Sequence, residues 1–307
     1  MARPRKNLTT MPVTVPVPSQ ATAQQPQVAN SPTAPVASVK NDVLFFIEKT
    51  KRGIDKDCID KVETELSSIQ SGKEVLLVIH TFGGDVYSSV LIVRIIQQKF
   101  STIKAIIPDY AFSSGTIMSL GADEIHMDCD AMLGPLDLPM EHPHDGSEIS
   151  SLDITNTLTN IASICTSVGM QMYAKLRGND DGDLKMGKEK AATIAFDSAT
   201  KMVQPIIDKI DPFILQRGFR ETRIGLYYAI DLLYSRMMKG NFQLAMKTSR
   251  SLVNDYPSHG YGIFRDEARD SLKLKVLDLE KLGDWVAVKP TFEKYKDDSR
   301  YIKYLSL

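Results

Sequence analysis

The sequence predicts an α/β fold of stacked strand-and-helix units with a helical insertion. The stretch from Glu74 to Asp137 repeats one grammar: an apolar β-rich run, a small-residue turn, then a helix-like run. Its apolar runs, Val75 to Ile79 and Ile103 to Ile107, are nearly continuous. Continuous rather than alternating apolar character marks strands covered on both faces. After Asp137 the spacing turns helical, with Leu152, Ile154, Leu158, Ile161, Ile164 and Val168 as its first apolar stripe.

In chain order, residues 1–40 are rich in Pro, Gln, Thr, Ser, Ala and Val and read as a disordered leader. Arg3, Arg5 and Lys6 are not followed by a signal-peptide core. A main domain is expected over residues 41–280, with the helical insertion at about 150–255 and a C-terminal arm at 281–307. Val43 to Ile47 is the opening strand, and Asp55 to Gln70 an amphipathic helix. Gly83 and Gly84 break the next strand, and Asp85 can cap a helix from Val86 to Lys99. Pro108 ends the Ile103 strand, and Ser113-Ser114-Gly115-Thr116 opens a second apolar helix. The polar segment from Met140 to Glu148 reads as a loop.

The insertion is expected to hold helices from Ser151 to Leu176 and from Ala191 to Ile210, the latter ended by Asp211-Pro212. A helical hairpin follows, Leu226 to Met238 and Phe242 to Val253, around Lys239-Gly240-Asn241. Ser258-His259-Gly260 is a short turn before a closing unit, with a helix from Asp266 to Ser271 and a strand from Leu274 to Leu277. The segment from Trp285 onward reads as a peripheral helix or arm.

Composition sets further bounds. A hydrophobic content of 43% and a charged content of 24% are ordinary for a globular chain of 307 residues. A net charge of −1 offers nothing to nucleic acid or to an acidic membrane surface. No window of about 18 apolar residues exists, so no transmembrane span is expected. Cys58, Cys129 and Cys165 have no metal-like spacing and suggest a reducing, cytoplasmic setting without disulfides.

A strand, a tight turn carrying a serine, and a helix form the local logic of an exposed nucleophile, which makes Ser113 the candidate. Such a serine needs a base and two N–H groups aimed at the developing oxyanion. Gly83 and Gly84 supply backbone that can approach a substrate without a Cβ. Successive strand-to-helix turns of a parallel sheet meet at one sheet edge, so this pair and Ser113 should face one another. Of the histidines, His80 and His126 lie in apolar runs and read as structural. His142 and His144 lack further ligands, so no metal is expected there, and no cofactor is expected elsewhere.

The segments HTFGGDV, AFSSGTIMSLGADEIHM and LGPLD, in that order, resemble the Clp-protease and crotonase superfamily. The resemblance is strongest to the serine dehydrogenase proteinase family, soluble relatives of Clp protease and of the SppA peptidases. It covers roughly Val43 to Leu279 and is weaker around YPSHGYGIFRDEARDSLKLKV. It implies a Clp/crotonase-like fold of stacked ββα units and a serine endopeptidase-like hydrolase acting on polypeptides. Matched residue by residue, it implies a triad in the order Ser113, Asp137, His259, with oxyanion donors from Ser114 and Gly83, and Gly84 close behind. It also implies a homo-oligomer, a trimer or a multiple. Three alternatives stand beside it. One is a non-catalytic assembly or peptide-binding module. A second is an SppA-like Ser–Lys peptidase using Lys175 or Lys185. The third is crotonase-like acyl-CoA chemistry, which places a glycine-rich turn where Ser113 stands. Asp180, Asp181, Asp183 and Glu189 surround the two lysines and favour the charged ammonium, a poor base, so histidine is preferred.

Overall fold

The computed structural model describes residues 42–137, 139–141, 146, 148–178 and 185–306. The first half of the chain builds the sheet. It contains β1 (Asp42–Glu48), α1 (Lys56–Leu66), β2 (Gly72–Thr81), α2 (Val86–Lys99), β3 (Phe100–Ile107) and β4 (Tyr110–Ala111). Then come α3 (Ser114–Leu120), β5 (Glu124–Met127), β6 (Met132–Leu133) and a small hairpin of β7 (Pro139–Glu141) and β8 (Glu148–Ser150). Four long helices follow: α4 (Ser151–Arg177), α5 (Lys188–Ile207), α6 (Pro212–Ser235) and α7 (Phe242–Asn254). The chain closes through β9 (Ile263–Phe264), α8 (Arg265–Asp270), β10 (Val276–Asp278), α9 (Trp285–Tyr295) and β11 (Arg300–Leu305).

β2 is the trunk of a nine-stranded sheet. It runs parallel to β1 on one side and to β3 on the other, and β5 and β10 continue parallel beyond β3. At its last residue, Thr81, β2 pairs instead with Ala111 of β4, and β4 leads to β6 and β9. The sheet therefore forks one residue before the Phe82-Gly83-Gly84 turn.

Alternate residues of the central strands point to opposite faces, as strand geometry requires. Leu44, Phe46, Val75, Leu77 and Ile79 enter the main core. Val43, Phe45, Ile47, Leu76 and Val78 enter a second core layer with Ile106, Leu279, Trp285, Val288 and Phe292. Both faces are covered, which explains the continuous apolar runs.

Several expected boundaries shift. The helix opening at Asp55 stops at Leu66, where the Ser67 hydroxyl donates to the Thr64 carbonyl at 2.8 Å, and Ile69 still packs on the core from the following loop. Asp211-Pro212 opens a helix: α5 already ends at Ile207, and Asp211 caps α6 by accepting from the Phe213 N–H at 2.7 Å. Proline is well placed there, because a first helical residue needs no N–H. α6 consequently starts well before Leu226. Its second half and α7 supply Ala229, Leu232, Leu233, Ala245, Leu252 and Val253 to the main core, so this part of the expected insertion is integral to it.

The C-terminal segment is not a peripheral arm. β11 pairs antiparallel with the whole of β1, from Leu305 opposite Val43 to Arg300 opposite Glu48. α9 seals the second core layer with Trp285, Val288 and Phe292. A half-exposed edge strand looks polar in sequence, which hides it.

Phe292→Ala should therefore cost about 3–5 kcal/mol of stability, the range for deleting a buried aromatic side chain. Phe213→Ala, at a side chain 85% exposed, should stay within about 0.5 kcal/mol. Denaturant unfolding of both variants checks this; a loss at Phe292 as small as at Phe213 would mean that α9 is peripheral after all.

Candidate active site

The site begins where β2 ends. Gly83 and Gly84 have φ of 108° and 147°, conformations that a side chain strains. The Ile54 N–H donates to the Gly83 carbonyl at 2.8 Å, and the Asp85 N–H donates to the Ile54 carbonyl at 2.8 Å. A Cβ on Gly84 would lie 2.1 Å from the Ile54 nitrogen, and one on Gly83 would lie 2.9 Å from the Ser113 Cβ. The glycine turn is thus wedged between the Ile54 backbone and the serine turn, and the pair does face Ser113.

The two glycines differ in where their amides point. The Gly83 N–H donates to the Thr81 hydroxyl at 3.1 Å. Gly84 is bridged to Ile54 through its neighbours, so its own amide and carbonyl are directed to the opposite side. Its carbonyl accepts there from the Ser114 hydroxyl at 3.0 Å.

Ser113 stands between β4 and α3 with φ 52° and ψ −117°, a strained conformation for a residue with a side chain. Its hydroxyl makes no capping bond to the helix that it precedes. The turn is fixed from outside. The Phe112 N–H donates to the Thr81 carbonyl at 3.0 Å, and the Gly115 N–H to the Phe112 carbonyl at 2.8 Å. The Thr116 hydroxyl lies 2.8 Å from the Ala111 carbonyl and 2.9 Å from that of Gly134, and accepts from the Gly134 N–H at 2.9 Å. Gly134 crosses so closely that a Cβ there would lie 2.9 Å from the Ser113 nitrogen.

Three residues after Gly134 comes Asp137, whose side chain is only 2% exposed. One carboxylate oxygen lies 2.7 Å from Nδ1 of His259, and the other accepts from the Ser150 hydroxyl at 2.8 Å. His259 sits in a turn closed by the Tyr261 N–H donating to the Ser258 carbonyl at 3.1 Å, and its ring is 36% exposed. α7 carries the chain toward this turn, and the Leu136 N–H donates to the Leu252 carbonyl of α7 at 2.9 Å. An ionised Asp137 can only accept, so Nδ1 donates and Nε2 carries the basic lone pair.

Ser150 carries no sequence signal for a place beside Asp137. Ser150 followed by Asp153 before an apolar run is a capping pattern, and Ser150 does cap α4 through the Leu152 N–H at 3.1 Å. Its bond to Asp137 has no local signal. Asp85 is occupied in capping α2, accepting from the Ser88 N–H at 2.6 Å. His80 is buried against Tyr110 and Phe292, and His126 pairs with Glu124 at 3.0 Å. Burial pushes His80 down to about 4, with help from the Lys49 and Lys296 charges, so it is neutral at neutral pH. His142 and His144 lie outside the described residues. Lys175 occupies the last turn of α4, and Lys185 lies just before α5; both are exposed. At 1.5 Å per residue, Lys175 is about 38 Å along α4 from Ser150. The backbone bond from the Met186 N–H to the Leu176 carbonyl, at 3.0 Å, keeps Lys185 at that same far end.

Residues 44–197 match the family of ClpP-like SDH-type serine proteinases. Two uncharacterized proteins of Methanocaldococcus jannaschii are similar to short parts of the chain. One is 42% identical over 65 residues, which is 21% of this chain and 23% of the relative. The other is 43% identical over 61 residues, 20% of this chain and 21% of the relative. The matches therefore span less than a quarter of either relative. Among solved structures, two mutants of the 1510-N membrane-bound stomatin-specific protease are similar. One, a lysine-to-alanine mutant in complex with a substrate peptide, is 24% identical and covers 53% of this chain and 67% of its own. The other, a serine-to-alanine mutant, is 23% identical and covers 53% and 71%. Both have a TM-score of 0.31. Among the described residues, no helix is long and apolar enough to cross a membrane.

Proposed function

The chain belongs to the family of ClpP-like SDH-type serine proteinases, and from that premise we propose that it is a serine peptidase with Ser113 as nucleophile. The observation that carries this reading is the Asp137–His259 hydrogen bond of 2.7 Å, built on the same segment that crosses the Ser113 turn. Ser113 Oγ adds to the carbonyl carbon of a polypeptide, and Nε2 of His259 takes the hydroxyl proton. The same proton passes to the leaving amine as the C–N bond breaks. Water, deprotonated by His259, then adds to the acyl carbon, and the proton returns to Ser113 Oγ as the acyl C–Oγ bond breaks. Asp137 holds the imidazole in the required tautomer and stabilises the imidazolium. Ser150 shares the carboxylate and fixes its orientation.

The oxyanion would be held by the Ser114 N–H and by one from the glycine turn. Gly84 is the stronger donor, because the Gly83 N–H is already directed at Thr81. A lysine base is disfavoured by the placement of Lys175 and Lys185. The substrate is a polypeptide. We also infer a homo-oligomer, a trimer or larger, from the apolar side chains on α4, α5 and α6, where Ile164, Met170, Met202, Ile206 and Phe213 are all more than half exposed.

Ser113→Ala should abolish peptide hydrolysis. Ser114→Ala should retain most of it, since Ser114 contributes through its main chain. His259→Ala should lose roughly 10²–10⁴-fold in kcat, the range for positioned acid–base help, while Lys175→Ala and Lys185→Ala stay within a few-fold. In wild type, kcat/KM should rise across about pH 6–7.5 as an imidazole loses its proton. Full activity in His259→Ala with a dead lysine variant would replace this mechanism with a Ser–Lys one. Light scattering at micromolar concentration should give at least three copies; a monodisperse monomer would contradict the assembly.

A further inference from the structure

We propose that Arg300, on the C-terminal edge strand, is a positioning residue for the glycine turn that faces Ser113. The proposal rests on the reading of that turn as an oxyanion donor. Arg300 lies opposite Glu48 at the end of the β1–β11 ladder. Glu48 is fully buried, and a buried carboxylate requires a cation. The Arg300 Nε donates to it. The remaining nitrogens reach further: Nη2 donates to the Gly53 carbonyl at 3.3 Å and to the Asp55 carboxylate at 3.0 Å. Burial alone would raise the Asp55 carboxyl, but hydrogen bonds from Arg300 and Cys58 hold it below the usual carboxylate range.

Gly53 and Asp55 flank Ile54, and Ile54 is the residue whose N–H and carbonyl grip Gly83 and Asp85 on either side of Gly84. Gly53 is itself pressed on the turn: a Cβ there would lie 2.3 Å from the Gly83 carbonyl oxygen. Asp55 also caps α1 through the Cys58 N–H at 3.2 Å, which ties the loop to a helix. One guanidinium thus holds the residues before and after Ile54, and Ile54 sets the direction of the Gly84 amide. The fixed fork of arginine donors is needed to span Glu48, Gly53 and Asp55; a lysine ammonium is a single point. Oxyanion donors act only when aimed in advance, and small misplacement is expensive in rate.

The test uses the full-length chain with Arg300→Lys and the charge-balanced double variant Glu48→Gln/Arg300→Met, which leaves no buried unpaired carboxylate. Deuterium exchange is compared over residues 52–58 and 82–88, with the β2 and β3 strands as internal controls, together with kcat and KM on a peptide substrate. The expected result in both variants is exchange at least about tenfold faster in the two segments, with the controls unchanged. kcat should fall about tenfold or more while KM stays within about twofold, the pattern of a lost transition-state interaction. Unchanged exchange over 82–88 in the folded variants overturns the clamp, and faster exchange with undiminished kcat overturns its positioning role. Lack of any Ser113-dependent turnover in wild type would sink the peptidase reading instead, and the exchange comparison would still decide whether Arg300 holds the turn.

Discussion

At the end of β2 two backbones touch where a side chain would collide. Gly84 lies against Ile54 and Gly83 against Ser113, each closer than a Cβ allows. This contact decides the geometry of everything around it. It lets the sheet fork at Thr81, so that β4 and β6 can branch away from β3. It brings the turn after β2 against the turn after β4, although thirty residues separate Gly83 from Ser113. It also aims the amide edge of Gly84 at the serine side by occupying its neighbours with Ile54.

The strained Ser113 conformation is held by bonds that Ser113 itself does not make. Phe112, Gly115 and Thr116 fix the turn, and Thr116 joins it to Gly134. The same Gly134 segment delivers Asp137, whose carboxylate is shared between His259 and Ser150. A carboxylate bonded to Nδ1 leaves Nε2 as the basic nitrogen. The Ser113 hydroxyl makes no capping bond to its own turn, and the buried Asp137 carboxylate holds Nδ1 of His259.

Local chemistry made much of this legible in the sequence. The buried strands showed as continuous apolar runs because both faces are covered, and Asp85 announced α2 through its cap. The turns at Gly83-Gly84 and at Ser113 are readable from turn chemistry. Asp137 and His259 were reached only through family resemblance, since 122 positions separate them and no local pattern links them. Ser150 was hidden because its second hydrogen bond is tertiary, and Arg300 because its partners lie at the other end of the chain. The Asp211-Pro212 pair misled because the same dipeptide can close one helix or open the next, and spacing alone does not choose.

Labelling with a fluorophosphonate, followed by peptide mapping, addresses the central claim most directly. Such a probe needs an activated serine and an oxyanion site, but no knowledge of the natural substrate. The account predicts one adduct per chain, on Ser113, forming much more slowly in His259→Ala. An adduct on Ser114 or on another residue, or no adduct on the folded wild-type chain, would contradict it.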